Sequence, residues 1–248
     1  MKIGVQLYSV REQIKEKGLD EVLAMIRRAG YDCVEFAGFY GLSVDEVKNL
    51  LKKHGLDGVS AHISPDAIEE QLPYVDGIGI KNVFIPWNNY EGLSGEKYVE
   101  FVKKIKAVKP LMDERGINFG YHNHADEFRN GDDKVFELMR DVDGLTGELD
   151  IYWATAAGLD PVKVMEKYGK RLTALHIKDM DPDAPLNNPT SKPNAVIGEG
   201  KSHAKEAFDK AKEMGLGLRY SKSNSSRAIP KNILPAAVKT WRLGNKNC

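Results

Sequence analysis

Cysteine is scarce in this 248-residue chain: there are two, Cys33 and Cys248, and one of them is the last residue. Two thiols so placed build no disulfide framework, which excludes the small cross-linked secreted scaffolds and suits a reducing cytoplasm. An excess of charge is also lacking, with 36 Lys and Arg against 36 Asp and Glu. No global field therefore draws the chain to nucleic acid or to an anionic membrane. No apolar run approaches the roughly 20 residues that span a bilayer. The opening Met1-Lys-Ile-Gly-Val-Gln6 reads directly as a strand and has no signal-peptide h-region. A cytoplasmic location is the expectation. Finally, no Gly-rich phosphate loop follows that first strand, which argues against the doubly wound nucleotide-binding sheets.

What is present is alternation. Strand patterns fall at Lys2–Leu7, Tyr31–Phe36, Leu56–His62, Lys81–Ile85, Ile117–Tyr121, Thr146–Asp150, Thr173–Asp179 and Leu216–Tyr220. Helical patterns lie between them. Leu19, Val22, Leu23 and Ile26 share one face of the first, and Ser43-Val-Asp-Glu46 is a capping box that opens the second. Helical segments are also expected after Pro65, over 95–114 with a kink or break at Pro110, over 134–140, from Asp160-Pro161 to Gly169, and over 202–214. One joint recurs: Arg28-Ala-Gly30-Tyr, Lys53-His-Gly55-Leu, Glu114-Arg-Gly116-Ile and Glu213-Met-Gly215-Leu each read as helix end, glycine, then strand. About eight strand–helix units imply parallel pairing with right-handed crossovers. A barrel of about 250 residues is the natural closure. The expectation is a single-domain (β/α)₈ barrel over residues 1–248, with an atypical last strand and tail.

In such a barrel the C-terminal strand ends form one pocket. The predicted ends deliver Glu35, His62, Trp87, His122 and His124, Asp150, then His176, Lys178 and Asp179, so four of the six histidines fall there. His, Asp and Glu converging from different strands suit a divalent ion, with Mn, Co, Zn or Fe matching the mixed donors. Asp150 with His176 reads as the metal pair. His122-x-His124 would put both rings on one strand face, either for a site or to anchor the following loop. Glu35 is either a catalytic carboxylate or a loop anchor. Trp87 and Trp153 read as pocket walls, and Glu127 and Glu148 either orient the histidines or are exposed acids. His54 and His203 read as surface residues.

Glu35 after an apolar strand, Gly120-Tyr-His-Asn-His124 with Glu127-Phe128, Leu149-Asp-Ile-Tyr-Trp153, Asp160-Pro161, Leu175-His-Ile-Lys-Asp179 and Ile197-Gly-Glu-Gly200 resemble the xylose-isomerase-like TIM barrels. This sugar phosphate isomerase/epimerase group is similar to inosose dehydratases, ketose 3-epimerases, hydroxypyruvate isomerases, dehydroshikimate dehydratases and endonuclease IV. The resemblance covers about residues 1–216. It implies a divalent metal, Mn first, with Zn, Co, Mg or Fe as alternatives. It makes Asp150 and His176 ligands and places His122 where relatives carry a carboxylate, with Glu127 as its substitute. It implies His124 as a proton-transfer group, Lys178 and Glu35 as groups that contact or deprotonate substrate, and His62 as a pocket-lining residue. The implied partner is a small carbohydrate. Dimers or tetramers are common among relatives, and zero net charge disfavours a DNA-repair role.

The chain departs from the family at the last strand, where an acidic Val-Glu-x-Glu pattern normally supplies a metal ligand. Here Leu218-Arg-Tyr-Ser-Lys222 stands instead, and no acid follows Met214. Codons for residues 231–246 can be chosen so that a one-base shift yields an acidic amphipathic segment. The gene sequence decides between a shifted and a divergent tail. As written, the tail has a helical pattern over Asn232–Trp241, and metal binding is expected to be weakened.

Overall fold

A computed structural model describes residues 2–88, 90–186 and 194–221. Eight parallel strands close into a barrel in chain order: β1 (Lys2–Gln6), β2 (Cys33–Phe36), β3 (Asp57–His62), β4 (Asn82–Ile85), β5 (Asn118–His122), β6 (Thr146–Asp150), β7 (Leu172–Ile177) and β8 (Leu218–Ser221). Strand β8 pairs with both β1 and β7, so no edge is left open. Outside run α1 (Arg11–Arg28), α2 (Val44–His54), α3 (Ile68–Ile78), α4 (Gly95–Asp113), α5 (Lys134–Asp141), α6 (Ile151–Ala156), α7 (Pro161–Tyr168) and α8 (Ala204–Glu213). No described helix is long and apolar enough to cross a membrane.

The helical stripe of α1 packs as its spacing requires. Val22, Leu23 and Ile26 are completely buried and Leu19 nearly so, each contributing about 1.5–3 kcal/mol of burial. The capping box of α2 forms, with the Ser43 hydroxyl accepting from Glu46 N and the Glu46 carboxylate accepting from Ser43 N. Pro110 does not break α4, which continues to Asp113. The proline lies on an exposed face one turn from the helix end, where water can take the carbonyl it leaves unpaired. The short helix α6 has no counterpart in the sequence reading, because its six residues are all buried and show no polar face. The tail helix expected over Asn232–Trp241 and residue Lys222 lie outside the described residues.

The main core lies between sheet and helices. A second, smaller cluster of Cys33, Phe84 and Ala174 sits apart from it, on register positions that face the barrel interior. Burial pushes the Cys33 thiol up to about 12, so it is an inert apolar filler. Gly120 is required just above: a Cβ there would come within 2.6 Å of Thr146 Oγ1 and 2.9 Å of the Phe84 ring. That close approach sets β5 against β4 and β6 two residues before His122.

A candidate metal centre at the barrel mouth

Parallel register decides which side chains share the interior. Gln6 stands beside Glu35, Glu35 beside Ser60, His122 beside Glu148, and Asp150 beside His176. Side chains paired in register point to the same face, so these residues fill the mouth of the barrel. Glu35, His122, Glu148, Asp150 and His176 are all buried, and buried charges must be paired.

Two carboxylates interleave with three imidazoles. Glu35 accepts from Ser60 Oγ at 2.7 Å and from His176 Nε2 at 2.8 Å, with His62 Nε2 at 3.2 Å. Glu148 lies 2.7 Å from His62 Nε2, 3.0 Å from His122 Nδ1 and 3.1 Å from His176 Nε2. Donor atoms of His62, His122, Glu148 and His176 all fall within 4.8 Å of one another, close enough to share a cation. Burial would raise the Glu35 carboxyl, but the charges and hydrogen bonds of His62 and His176 outweigh it and hold it well below the usual carboxylate range. Burial would lower His62, yet the facing Glu35 and Glu148 raise it above its ordinary value. Glu35 is thus an ionised carboxylate locked among protein groups, at the end of β2 as expected from the sequence.

Asp150 occupies a different place. Its Oδ1 caps α6, accepting from Tyr152 N at 3.0 Å and Trp153 N at 3.3 Å, while its own N–H donates to Asn123 Oδ1 at 3.0 Å. This cap fixes Oδ2 at 3.8 Å from His176 Nδ1. That separation is too long for a hydrogen bond. It fits two donors of one ion, each about 2.0–2.2 Å from it. The opposite nitrogen of the same ring is hydrogen-bonded to Glu35 and lies 3.1 Å from Glu148, the carboxylate–histidine arrangement that orients a metal ligand.

The strand ends at His122, so the alternation expected to align His122 with His124 stops there. His124 lies in the following loop. Its ring still meets His122 edge-on at 5.4 Å, and it lies between Trp87, stacked at 5.1 Å, and Trp153, tilted at 4.5 Å. Trp87 donates from Nε1 to Asp126 at 3.2 Å. Glu127 is buried beneath this loop, accepting from Tyr121 Oη at 2.7 Å and from His124 N at 2.9 Å. Lys178 is buried with Nζ 3.4 Å from the Tyr152 ring centre and 4.5 Å from that of Trp153. Asp179 anchors a loop: it accepts from the N–H groups of Met180, Gly198, Gly200 and Ser202. A Cβ at position 200 would lie 2.3 Å from both Asp179 Oδ1 and Met180 O, so only glycine closes this loop. His203 is exposed, while His54 is half-buried against Asp20, 2.6 Å from its carboxylate.

Gln6, Ser60 and Asn123 enter the network without having been singled out in the sequence. Gln6 Nε2 reaches His62 Nδ1 at 3.5 Å. The signal was available for Ser60, which stands two residues before His62, just as Glu148 stands two before Asp150. Period-two alternation puts both on the interior face.

One group has a pH consequence. Burial pushes the Glu127 carboxyl from 4.5 up to about 8, against the opposing hydrogen bonds from Tyr121 and His124. Between those values the folded chain holds a proton that the unfolded chain has lost. Stability therefore falls as pH rises through this window, and the fall is complete above about 8. Glu127→Gln cannot ionise, so its melting temperature should drop less than that of the wild type between pH 6 and pH 9. The expected difference is several degrees, at about 2–4 °C per kcal/mol for a chain this size. Parallel curves for the two proteins would refute the assignment.

Comparison with known proteins follows the same direction. A family model described as Xylose isomerase-like TIM barrel matches residues 23–234. The rhizopine catabolism protein MocC of Rhizobium meliloti is 24% identical over 194 residues, covering 66% of this chain and 58% of that protein. An inosose dehydratase of Geobacillus kaustophilus (strain HTA426) is 21% identical over 193 residues, covering 66% of this chain and 63% of that enzyme. The match thus spans about three fifths of the length of these curated relatives. The crystal structure of a D-allulose 3-epimerase from Methylomonas sp. superposes with a TM-score of 0.76 at 16% identity, over 98% of this chain and 97% of that one. Closed barrel, buried His–carboxylate mouth and family match agree, and the chain belongs to the xylose isomerase-like TIM barrel family.

Proposed function

We propose that this chain is a divalent-metal-dependent isomerase or epimerase of a sugar, a sugar phosphate or a related polyol or keto-acid, working by proton transfer at a carbon next to a carbonyl. The observation that carries the reading is the pair His176 Nδ1 and Asp150 Oδ2 at 3.8 Å, with the far nitrogen of the ring hydrogen-bonded to Glu35 and 3.1 Å from Glu148. The donor set, imidazole plus carboxylate, fits Mn²⁺ first and Zn, Co, Fe or Mg next. Asp150, His176 and His122 would hold the ion, with Glu35, Glu148 and His62 as the layer beneath that fixes the rings. When bound, such an ion polarises a carbonyl or hydroxyl oxygen of the substrate.

The chain's own groups supply the rest. His124, held between two indoles, would take or give a proton at substrate carbon, and Glu127 holds its backbone. Lys178 presents an ammonium to a developing oxyanion. Trp87 and Trp153 wall the pocket around His124. Glu35, ionised and enclosed by Ser60, His62 and His176, assists by accepting the hydrogen bonds that fix those imidazoles.

A second reading is a dehydratase, favoured by the inosose dehydratase relative. The same proton abstraction followed by loss of hydroxide gives a lyase. A third is a sugar-binding homologue with impaired metal binding, favoured by strand β8, where Tyr220 stands opposite His176 and Leu218–Ser221 contains no acid. The test is to supply Mn²⁺ and follow deuterium from solvent into sugar carbons by NMR. Isomerase or epimerase action should place one deuteron per turnover beside the carbonyl without loss of oxygen. Failure to bind any divalent ion would sink both enzyme readings.

A further inference from the structure

Beside the mouth lies a cavity of about 300 Å³, walled by Pro65, Asp66, Trp87, Lys97, Glu100 and Lys104. It is at the lower end of the range for small-ligand pockets, about 300–1,000 Å³, which is room for one ring. Trp87 connects it to the centre. Its ring stacks on His124, and His124 meets His122 edge-on, so the cavity begins two ring contacts from a proposed metal ligand. Trp87 is 39% exposed, one of the few large hydrophobic side chains so uncovered among the described residues. The charges around it balance, two amines against two carboxylates. Lys104 is bonded to Asp66 at 3.0 Å and lies 4.0 Å from Glu100. A phosphate would gain no net charge there. A neutral polyhydroxylated ring would find an aromatic face, and both donors and acceptors at its edge.

We propose that this cavity is an accessory subsite for a second, uncharged ring, so that the substrate is a glycoside or disaccharide and not a sugar phosphate. This rests on the proposed sugar chemistry at the neighbouring centre, and it narrows that reading to one substrate class.

The experiment is calorimetric titration of the full chain, metal-free and Mn²⁺-supplied, with cellobiose, maltose and lactose against glucose, galactose and glucose 6-phosphate. At least one disaccharide should bind about tenfold tighter than its component monosaccharides and than the phosphate, the size of one ring-stacking contact. Trp87→Ala should erase that preference and Trp87→Phe retain it. Lys104→Ala should reduce it several-fold while leaving monosaccharide affinity unchanged. Equal binding of all sugars, tightest binding of the phosphate, or a preference surviving in Trp87→Ala would each overturn the proposal. A preference in metal-free protein that never takes up Mn²⁺ would uphold the subsite and remove the metal-dependent function. Deuterium wash-in without any preference would do the reverse.

Discussion

Asp150→Asn should lower Mn²⁺ affinity by more than about 100-fold, while Glu148→Gln should lower it by about 10–100-fold, the range for residues that orient a ligand. The two variants separate two ways of placing an ion around one imidazole. Asp150 and His176 Nδ1 are 3.8 Å apart, and the asparagine keeps the oxygen that caps α6. What it loses is the charged oxygen facing His176. Glu148 instead touches His62, His122 and His176 at 2.7–3.1 Å. Of these, the contact to His62 is a hydrogen bond, and those to His122 and His176 are ion-pair contacts. Calorimetric titration with Mn²⁺ and metal analysis of each purified variant give the ratio. If Glu148→Gln abolishes binding and Asp150→Asn keeps it, the ion belongs to the four-residue cluster of His62, His122, Glu148 and His176. With no acid on β8, wild-type affinity is expected to start low, so the ratios carry the test.

Lys178→Met should cost about 10²–10³ in kcat, the range for loss of one group that stabilises an oxyanion. The ammonium is buried against the faces of Tyr152 and Trp153. Such a contact returns about 2 kcal/mol or more when desolvated, against a desolvation cost of several kcal/mol. Methionine fills the volume of the lysine stem with a flexible apolar chain and carries no charge. Arginine should fail to restore activity, since a planar guanidinium cannot enter a site shaped for a point charge. The rate of solvent deuterium incorporation measures the effect. A Met variant with wild-type kcat would make Lys178 a packing residue.

The barrel was legible because parallel strands buried on both faces and amphipathic helices leave different periods in the chain. Thr146–Asp150 and Pro161–Tyr168 appear with the bounds their sequence signals imply. Other strand ends shift by one or two residues, where pairing with neighbours decides them. Pro110 shows a local rule overridden: its cost depends on whether the carbonyl it abandons is exposed, and that is a tertiary property. The tryptophans at 87 and 153 and His124 were visible as residues, but that the two indoles share this imidazole was not, because a loop aims it.

Residue spacing alone determined that Glu35, His62, His122, Asp150 and His176 would gather at one end of a closed barrel. Alternation along each strand sets the face, and closure brings the ends together. Only the tertiary structure decided their division of labour. Glu148 and Asp150 differ by two positions and share a face, yet one is enclosed by three imidazoles and the other turns to cap a helix and face His176 Nδ1. That difference depends on register and on which nitrogen of His176 is already bonded across the lumen. These are contacts between residues as far as 141 positions apart, and no local pattern in the chain encodes them.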